Sequence, residues 1–206
     1  AYPFTAFGAL DAVFLAARGI TGPLEVFEGN KGFMDSIAGP FEIDWESEDL
    51  ERVRRTFLKR YNAEIHSQSA LEAILELREA HGLNPGDVER VDLDTFQVAY
   101  DIIGGGEEGA KKEIRTKEQA DHSLPYCTAA ALHDGDVYLE TFDDDHFTDP
   151  KLVAFTAKVK VKHDGTLDPR YPTGIPNRIT LTLSDGRTLV KEVEFPRGHN
   201  LNPMTD

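Results

Sequence analysis

The segment NRITLTLSDGRTLVKEVEF, residues 177–195, decides the fold class. It contains two runs in which apolar and polar residues alternate, and Ser184, Asp185 and Gly186 separate these runs. Alternation with a period of two is typical of half-buried strands, and a short Asp-Gly turn joins antiparallel neighbours. The segment therefore predicts a β-hairpin.

Two further alternating segments precede the hairpin, VERVDLDTFQV at residues 88–98 and KVKVKH at residues 158–163. Helical patterns are found over residues 1–18, 46–58, 69–81, 123–134 and 151–157. Strands and helices in this order favour an α+β domain, in which flanking helices cover a mostly antiparallel sheet of about four strands.

The helix over residues 69–81 is predicted to be amphipathic. The residues expected to be buried are Leu71, Ile74, Leu75 and Leu77. Those expected to face water are Glu72, Glu76 and Glu79. Ser69 and Glu72 match a capping box, which would start the helix at Ser69 and place His66 in the preceding turn. Ser123 is predicted to cap another helix, so His122 also lies just before a helix start.

These positions suit an anion. Free N–H groups and the positive end of the helix dipole attract negative charge, and they favour a neutral imidazole that can act as a general base. Nine of the 22 basic residues lie in two runs beside these histidines: Arg52, Arg54, Arg55, Lys59 and Arg60, then Lys111, Lys112, Arg115 and Lys117. The residues alone leave two interpretations, a carboxylate-binding site or solvated charged faces with ordinary cap residues.

Composition excludes several classes of function. The 206 residues carry a net charge of −15, which would repel nucleic acids and anionic membranes. Apolar runs such as residues 12–17 are far shorter than the ~20 residues that span a bilayer, and no signal-peptide pattern is present. We expect a soluble, cytoplasmic protein without nucleic-acid or membrane partners.

No cofactor or metal is predicted. The single cysteine, Cys127, cannot form an internal disulfide or supply the thiolates of an iron–sulfur cluster or thiolate zinc site within this chain. Gly104, Gly106 and Gly109 match a dinucleotide-binding pattern, but Glu107 and Glu108 would repel a pyrophosphate, so a loop is predicted. Residues 143–149 lack the glycine and closing glutamate of an EF-hand and are predicted to form an acidic loop, with Asp149 as the N-cap of the following helix.

Four segments together resemble the MmgE/PrpD family: RGITGPLEVFEGNKGF (18–33), KRYNAEIHSQSALEAILELR (59–78), ADHSLPYCTAAALHDG (120–135) and PRGHNLNP (196–203). The resemblance implies a two-domain enzyme with a large all-helical domain, a smaller α+β lid and an active site between them. It implies that residues 1–40 are the tail of the helical domain, 41–195 the lid, and 196–206 the start of the return to the helical domain. On this basis we expect the chain to begin inside a larger protein and to be inactive by itself.

The resemblance also implies a chemistry and its residues. Members of the family dehydrate or decarboxylate tricarboxylates without an iron–sulfur cluster. The resemblance also implies that the protein is a homodimer. Carried onto this sequence, His66 transfers a proton, Lys59 binds a carboxylate or stabilises the enediolate, and Tyr126 binds substrate or acts as an acid. Substrate contacts are implied for Arg60, Ser67, Gln68 and His122, and no role is assigned to His199.

The expected function is dehydration of 2-methylcitrate or a related hydroxy-tricarboxylate. Decarboxylation of cis-aconitate and isomerisation or epimerisation of a small dicarboxylate remain open within the family. A stand-alone lid that serves as a non-catalytic binding or assembly module is the alternative from another class.

Overall fold

The predicted sheet is present in the structure, a computed structural model that describes residues 2–205. Within these residues four strands form one sheet in the order β2-β1-β3-β4: β1 Val88–Thr95, β2 Val159–His163, β3 Asn177–Leu183 and β4 Thr188–Val193. The pairs β1–β3 and β3–β4 are antiparallel, whereas β1 and β2 are parallel. The prediction of an α+β domain with a mostly antiparallel sheet is confirmed.

The hairpin of β3 and β4 follows from its alternating residues. Along β3, Ile179, Leu181 and Leu183 are buried while the residues between them are half-buried. Gly186 adopts a φ of +87° in the connecting turn, a conformation that favours glycine. The sheet therefore has a buried side, which helices cover.

Seven α-helical segments occur in residues 2–205: α1 Tyr2–Ala17, α2 Gln68–His81, α3 Gln97–Ala99, α4 Lys117–Asp121, α5 Leu124–Asp134, α6 Asp144–Phe147 and α7 Pro150–Thr156. Ser123 accepts a hydrogen bond from the N–H of Tyr126, and Asp149 accepts one from Lys151, so both N-caps are as expected. The predicted helix over residues 46–58 is wrong, because only the 3-10 turn Arg52–Arg55 forms there. Residues 144–147 of the predicted acidic loop are helical.

The start of α2 differs from the predicted capping box. The helix begins at Gln68, and a 3-10 turn, Ile65–Ser67, leads into it. The Ser69 hydroxyl donates to the Ile175 carbonyl, and the Glu72 carboxylate accepts from the Arg197 N–H instead of facing water. Tertiary partners have replaced the local ones because both side chains are buried.

The core lies between the sheet and the helices. Helix α2 packs against β3, β4 and α5, and α5 also packs against α7 and β2. Fully buried members include Leu71, Ile74, Val91, Leu93, Leu124, Leu132, Leu152, Ile179 and Leu181. Each such side chain stabilises the fold by about 1.5–3 kcal/mol through its removal from water.

The chain divides into two units between Leu50 and Glu51. The sheet and helices α2–α7 belong to the second unit, while α1 belongs to the first. No residue of α1 is buried, and Phe4, Phe7 and Phe14 are exposed. The boundaries implied by the family resemblance, near residues 40 and 195, stay predictions. None of the helices in residues 2–205 has the length and apolarity to cross a membrane.

Gly135 ends α5 under two constraints. Its φ is +86°, and an added Cβ would lie 2.4 Å from a guanidinium nitrogen of Arg78. The Nε of that arginine donates to the Leu132 carbonyl at 3.0 Å, which holds it in place. A Cβ at this position therefore requires the Arg78 guanidinium to move, in addition to a left-handed backbone conformation.

We expect Gly135→Ala to reduce the free energy of unfolding by about 2–3 kcal/mol, measured by urea denaturation, because it adds a clash to backbone strain. Gly82 is the matched control: its φ is +61°, but nothing lies within 4 Å of its added Cβ. Gly82→Ala should lose only about 1 kcal/mol. Equal losses in the two variants would show that the Arg78 contact is unimportant.

His199 is held as a neutral imidazole. Its ring lies between Phe57 and Phe195, with centroid distances of 4.2 and 4.9 Å. Nε2 donates to the Thr173 carbonyl at 2.9 Å, and Nδ1 accepts from the Leu201 N–H at 3.0 Å. Burial lowers the pKa of His199 below 6.5. The unfolded chain therefore binds a proton at this residue that the folded chain excludes.

This sets the sign of a pH dependence. As the pH falls below about 6.5, the unfolded state gains a proton at His199 and the free energy of unfolding decreases until the lower folded pKa is reached. We expect His199→Gln to be less stable at pH 7.5 but to lose less stability than wild type between pH 7 and 5, measured by urea denaturation. His81→Gln, the same change at an exposed histidine, is the control. An unchanged slope in His199→Gln would contradict the assignment.

Candidate functional site

The loop that carries Lys59 is fixed by a side chain of α2. The Gln68 amide accepts from the Tyr61 N–H at 3.0 Å and donates to the Tyr61 carbonyl at 3.1 Å. Gln68 is buried, so these hydrogen bonds satisfy both ends of its amide away from water. Its predicted contact with substrate stays a prediction, and the geometry gives it a positioning role.

Ser67 and Lys59 close the same loop from its two ends. The Ser67 hydroxyl is buried and donates to the Glu64 carbonyl at 2.6 Å. The Lys59 ammonium donates to the Ala63 carbonyl at 2.9 Å, which leaves further N–H donors on the same nitrogen. The loop 59–64 is thus a fixed platform although it contains no helix or strand.

Glu64 is a candidate functional residue that the sequence analysis missed. Its carboxylate caps the turn by accepting from the His66 N–H at 2.7 Å. The second oxygen lies 2.9 Å from Nδ1 of His66, an ion-pair distance but not hydrogen-bond geometry. The available signal in the sequence was a glutamate just before a turn that carries a histidine.

The imidazole of His66 is otherwise surrounded by aromatic rings. Its centroid lies 5.4 Å from that of Phe96 and 5.7 Å from that of Tyr171, and these two rings stack on each other at 4.8 Å. His66 is 8% exposed. The Glu64 carboxylate and these two aromatic rings together hold the imidazole in a defined orientation.

Lys59 and His122, which are 63 residues apart in the sequence, line one cleft of about 250 Å³. The Glu64 N–H donates to the Asp121 carbonyl at 3.2 Å and so joins the two segments. Asp121 also contacts Nδ1 of His122 at 2.5 Å. The cleft is lined by Lys59, Asn62, Ala63, Glu64, Ile65, Asp121 and His122. An ammonium, an imidazole and two carboxylates at one opening can bind a polar substrate and exchange protons with it.

The structure places Arg60 in a different depression. Its guanidinium lies 5.4 Å from the centre of the Tyr61 ring, and it shares a cavity of about 210 Å³ with Glu72 and Glu76. Burial, with a contribution from Glu72, raises the pKa of Tyr61 to about 12. This arrangement does not bring Arg60 into the cleft that Lys59 lines. Its predicted contact with substrate stays a prediction.

Tyr126 is a core residue in this structure. It is 1% exposed, and its hydroxyl donates to the Thr141 carbonyl. Burial raises the pKa of the phenol well above its ordinary value. Its predicted part in the reaction stays a prediction, and the geometry instead gives the hydroxyl a structural partner.

Cys127 is buried beside Tyr126, and burial likewise raises the pKa of its thiol. It donates to the Ala120 carbonyl at 3.4 Å. Within the described part of the chain, no group of three or more histidine, cysteine, aspartate or glutamate side chains is arranged to hold a metal ion.

Comparisons with known proteins identify the same family that the four sequence segments resemble. The MmgE/PrpD C-terminal domain matches residues 61–206. The chain is 26% identical over 204 residues to a mitochondrial 2-methylcitrate dehydratase of Yarrowia lipolytica, covering 93% of this chain and 38% of that protein. It is 29% identical over 204 residues to the 2-methylcitrate dehydratase of Escherichia coli K12, covering 89% of this chain and 41% of that protein.

A cis-aconitate decarboxylase of Mus musculus is 24% identical over 212 residues, covering 95% of this chain and 40% of that protein. The chain therefore spans about two fifths of the length of these curated relatives. Relatives with two different activities match nearly the whole chain, so the similarity shows the family and does not choose between these activities. With most of its residues inside the matched domain, the chain belongs to the MmgE/PrpD family.

Proposed function

We propose that this chain is the lid part of a hydro-lyase that dehydrates 2-methylcitrate or a related hydroxy-tricarboxylate without an iron–sulfur cluster. The observation that carries the proposal is the cleft in which Lys59, Glu64 and His122 meet, next to the buried pair of Glu64 and His66. The names of the Yarrowia lipolytica and Escherichia coli relatives support the choice of substrate.

The proton transfer is assigned to His66. A dehydration removes the proton α to a carboxylate, forms a carbon–carbon double bond and releases the hydroxyl group, which leaves as water once it gains a proton. An imidazole that takes the α-proton becomes a cation, and the Glu64 carboxylate at 2.9 Å stabilises that cation and holds the ring. Glu64 and His66 thus act as an oriented base.

Charge on the substrate is assigned to Lys59. Its ammonium is held against the Ala63 carbonyl and lines the cleft, where it can bind a carboxylate or stabilise the enediolate. Protonation of the leaving hydroxyl is assigned to His122, which is half exposed in the same cleft and paired with Asp121. A role for Tyr126 in this step requires its hydroxyl to leave the Thr141 carbonyl.

The substrate-binding partner domain is also part of the proposal. The chain spans about two fifths of its relatives, and α1 exposes an apolar set of side chains that suits contact with another helical domain: Phe4, Phe7, Leu10, Val13 and Phe14.

We place the complete enzyme in the cytoplasm as a homodimer, following the family resemblance. Sedimentation of the full-length protein as a monomer would overturn the dimer.

A second candidate is decarboxylation of cis-aconitate, which the similarity to the Mus musculus enzyme supports. It needs the same carboxylate binding by Lys59 but breaks a carbon–carbon bond instead of a carbon–oxygen bond. A substrate panel separates the two activities, because release of carbon dioxide occurs only in the decarboxylation.

We expect the full-length protein to consume 2-methylcitrate, measured as formation of the unsaturated acid, with citrate and cis-aconitate as alternative substrates. The 206-residue chain alone should show no turnover, because the resemblance implies that the other acid–base and substrate-binding residues belong to the helical domain. Carbon dioxide release from cis-aconitate with no dehydration would select the decarboxylase. Inactivity toward all three acids would refute the proposed substrates, and activity of the chain alone would refute the need for the helical domain.

We expect His66→Ala to lower kcat about 100-fold or more in the full-length enzyme, and Glu64→Gln to lower it about tenfold or more, because the first removes the base and the second its counter-charge. Lys59→Met should raise KM, because it removes the carboxylate-binding ammonium. Steady-state kinetics measures all three. Glu89→Gln, the same change at an exposed glutamate of β1, is the control. Wild-type turnover in His66→Ala would eliminate its assignment as the base.

A further inference from the structure

A buried amide links the sheet to the backbone of His66. Asn177 is the first residue of β3 and has no exposed surface. Its Nδ2 donates to the His66 carbonyl at 2.9 Å and to the Ser69 hydroxyl at 2.8 Å. The Ser69 hydroxyl in turn donates to the Ile175 carbonyl. These bonds join the turn that precedes α2 to the segment that begins β3.

The orientation of the amide is determined by its partners. If the amide were turned over, Oδ1 would face the His66 carbonyl, and two acceptors would be placed against each other. The Ser69 hydroxyl donates its one hydrogen to the Ile175 carbonyl, so toward Asn177 it can only accept a hydrogen bond. Both bonds of Asn177 therefore require an N–H group at this end of the side chain.

The oxygen atom of the Asn177 amide does not stabilise the fold through a hydrogen bond to the protein. Oδ1 of Asn177 has no hydrogen-bond partner among the described protein atoms, and neither has Oγ1 of Thr95, the residue opposite it on β1. Both residues are fully buried. An unpaired buried acceptor destabilises a fold, so the Oδ1 atom does not explain why an amide is present at this position. The amide is explained by what its N–H group holds.

That group holds the backbone from which the imidazole extends. The His66 ring lies next to Phe96, Tyr171 and the Glu64 carboxylate. Phe96 directly follows Thr95, the last residue of β1, so the end of β1 that pairs with Asn177 leads into part of the ring's surroundings. A shift of the His66 backbone relative to these strands would move Nδ1 away from the Glu64 carboxylate.

We infer that Asn177 is a positioning residue for His66, whose amide fixes the backbone of the histidine so that the imidazole meets Glu64 in a reactive orientation. This inference rests on the proposed role of His66 in proton transfer. Asn177 has no exposed surface, so it acts through His66 and not through contact with the substrate.

The test is Asn177→Leu, which keeps the size of the side chain and removes both hydrogen bonds. In the full-length enzyme we expect kcat to fall about tenfold or more with KM within about twofold, since orientation of the base and not substrate binding is lost. In the 206-residue chain we expect the ring signals of His66 to shift in the NMR spectrum. Thermal unfolding must show that the variant is folded at the assay temperature.

Thr95→Val is the matched control, because it changes the opposite fully buried residue and removes a hydroxyl without a protein partner. It should leave kcat, KM and the His66 signals unchanged. If Asn177→Leu does not fold, Asn177→Ala is measured in its place with the same expectation. A folded Asn177 variant with wild-type kcat and wild-type His66 signals overturns the inference, as does an equal loss in Thr95→Val. If the wild-type enzyme turns over none of the three acids, the proposed function fails, and the His66 signals alone decide the positioning role.

Discussion

The packing of α2 against β3 and β4 determines where the other parts of the second unit lie. The helix must bury Leu71 and Ile74, and the sheet must bury Ile179 and Leu181, so the two surfaces cover each other. This contact fixes the first turn of α2 beside the first residue of β3. Ser69 and Asn177 meet there, and the polar groups at the start of the helix find partners on the sheet.

The second consequence concerns the loop before the helix. Residues 59–64 form no helix or strand, yet their buried backbone groups need hydrogen-bond partners. Gln68 and Ser67 supply those partners from the start of α2, so the position of the helix is transmitted to Lys59 and Glu64. A site built in this way is held by buried amide and hydroxyl groups and does not depend on exposed ion pairs, which are individually weak.

The basic runs in the sequence illustrate how far charge patterns can be interpreted. Lys59 does line the cleft, and His122 joins it there. Lys111 and Lys117, in contrast, form ordinary ion pairs with Glu108 and Asp121. The pattern indicated a region rich in cationic side chains, but it could not show which lysine ammonium group lies in the cleft. The conformation of each lysine side chain depends on the carboxylates that folding brings close to it.

The sequence by itself determined the α+β class, the four strands, the caps of α5 and α7 and the family. These features depend on alternation, on residues a few positions apart, or on motifs that can be compared directly. Only the tertiary structure decided the partners of Ser69 and Glu72, the cap formed by Glu64, the burial of Tyr126 and the link from Asn177 to His66. Asn177 and His66 are 111 positions apart. Such contacts arise when apolar surfaces bring distant segments together and exclude water, and buried polar groups must then bond to whichever partners lie beside them.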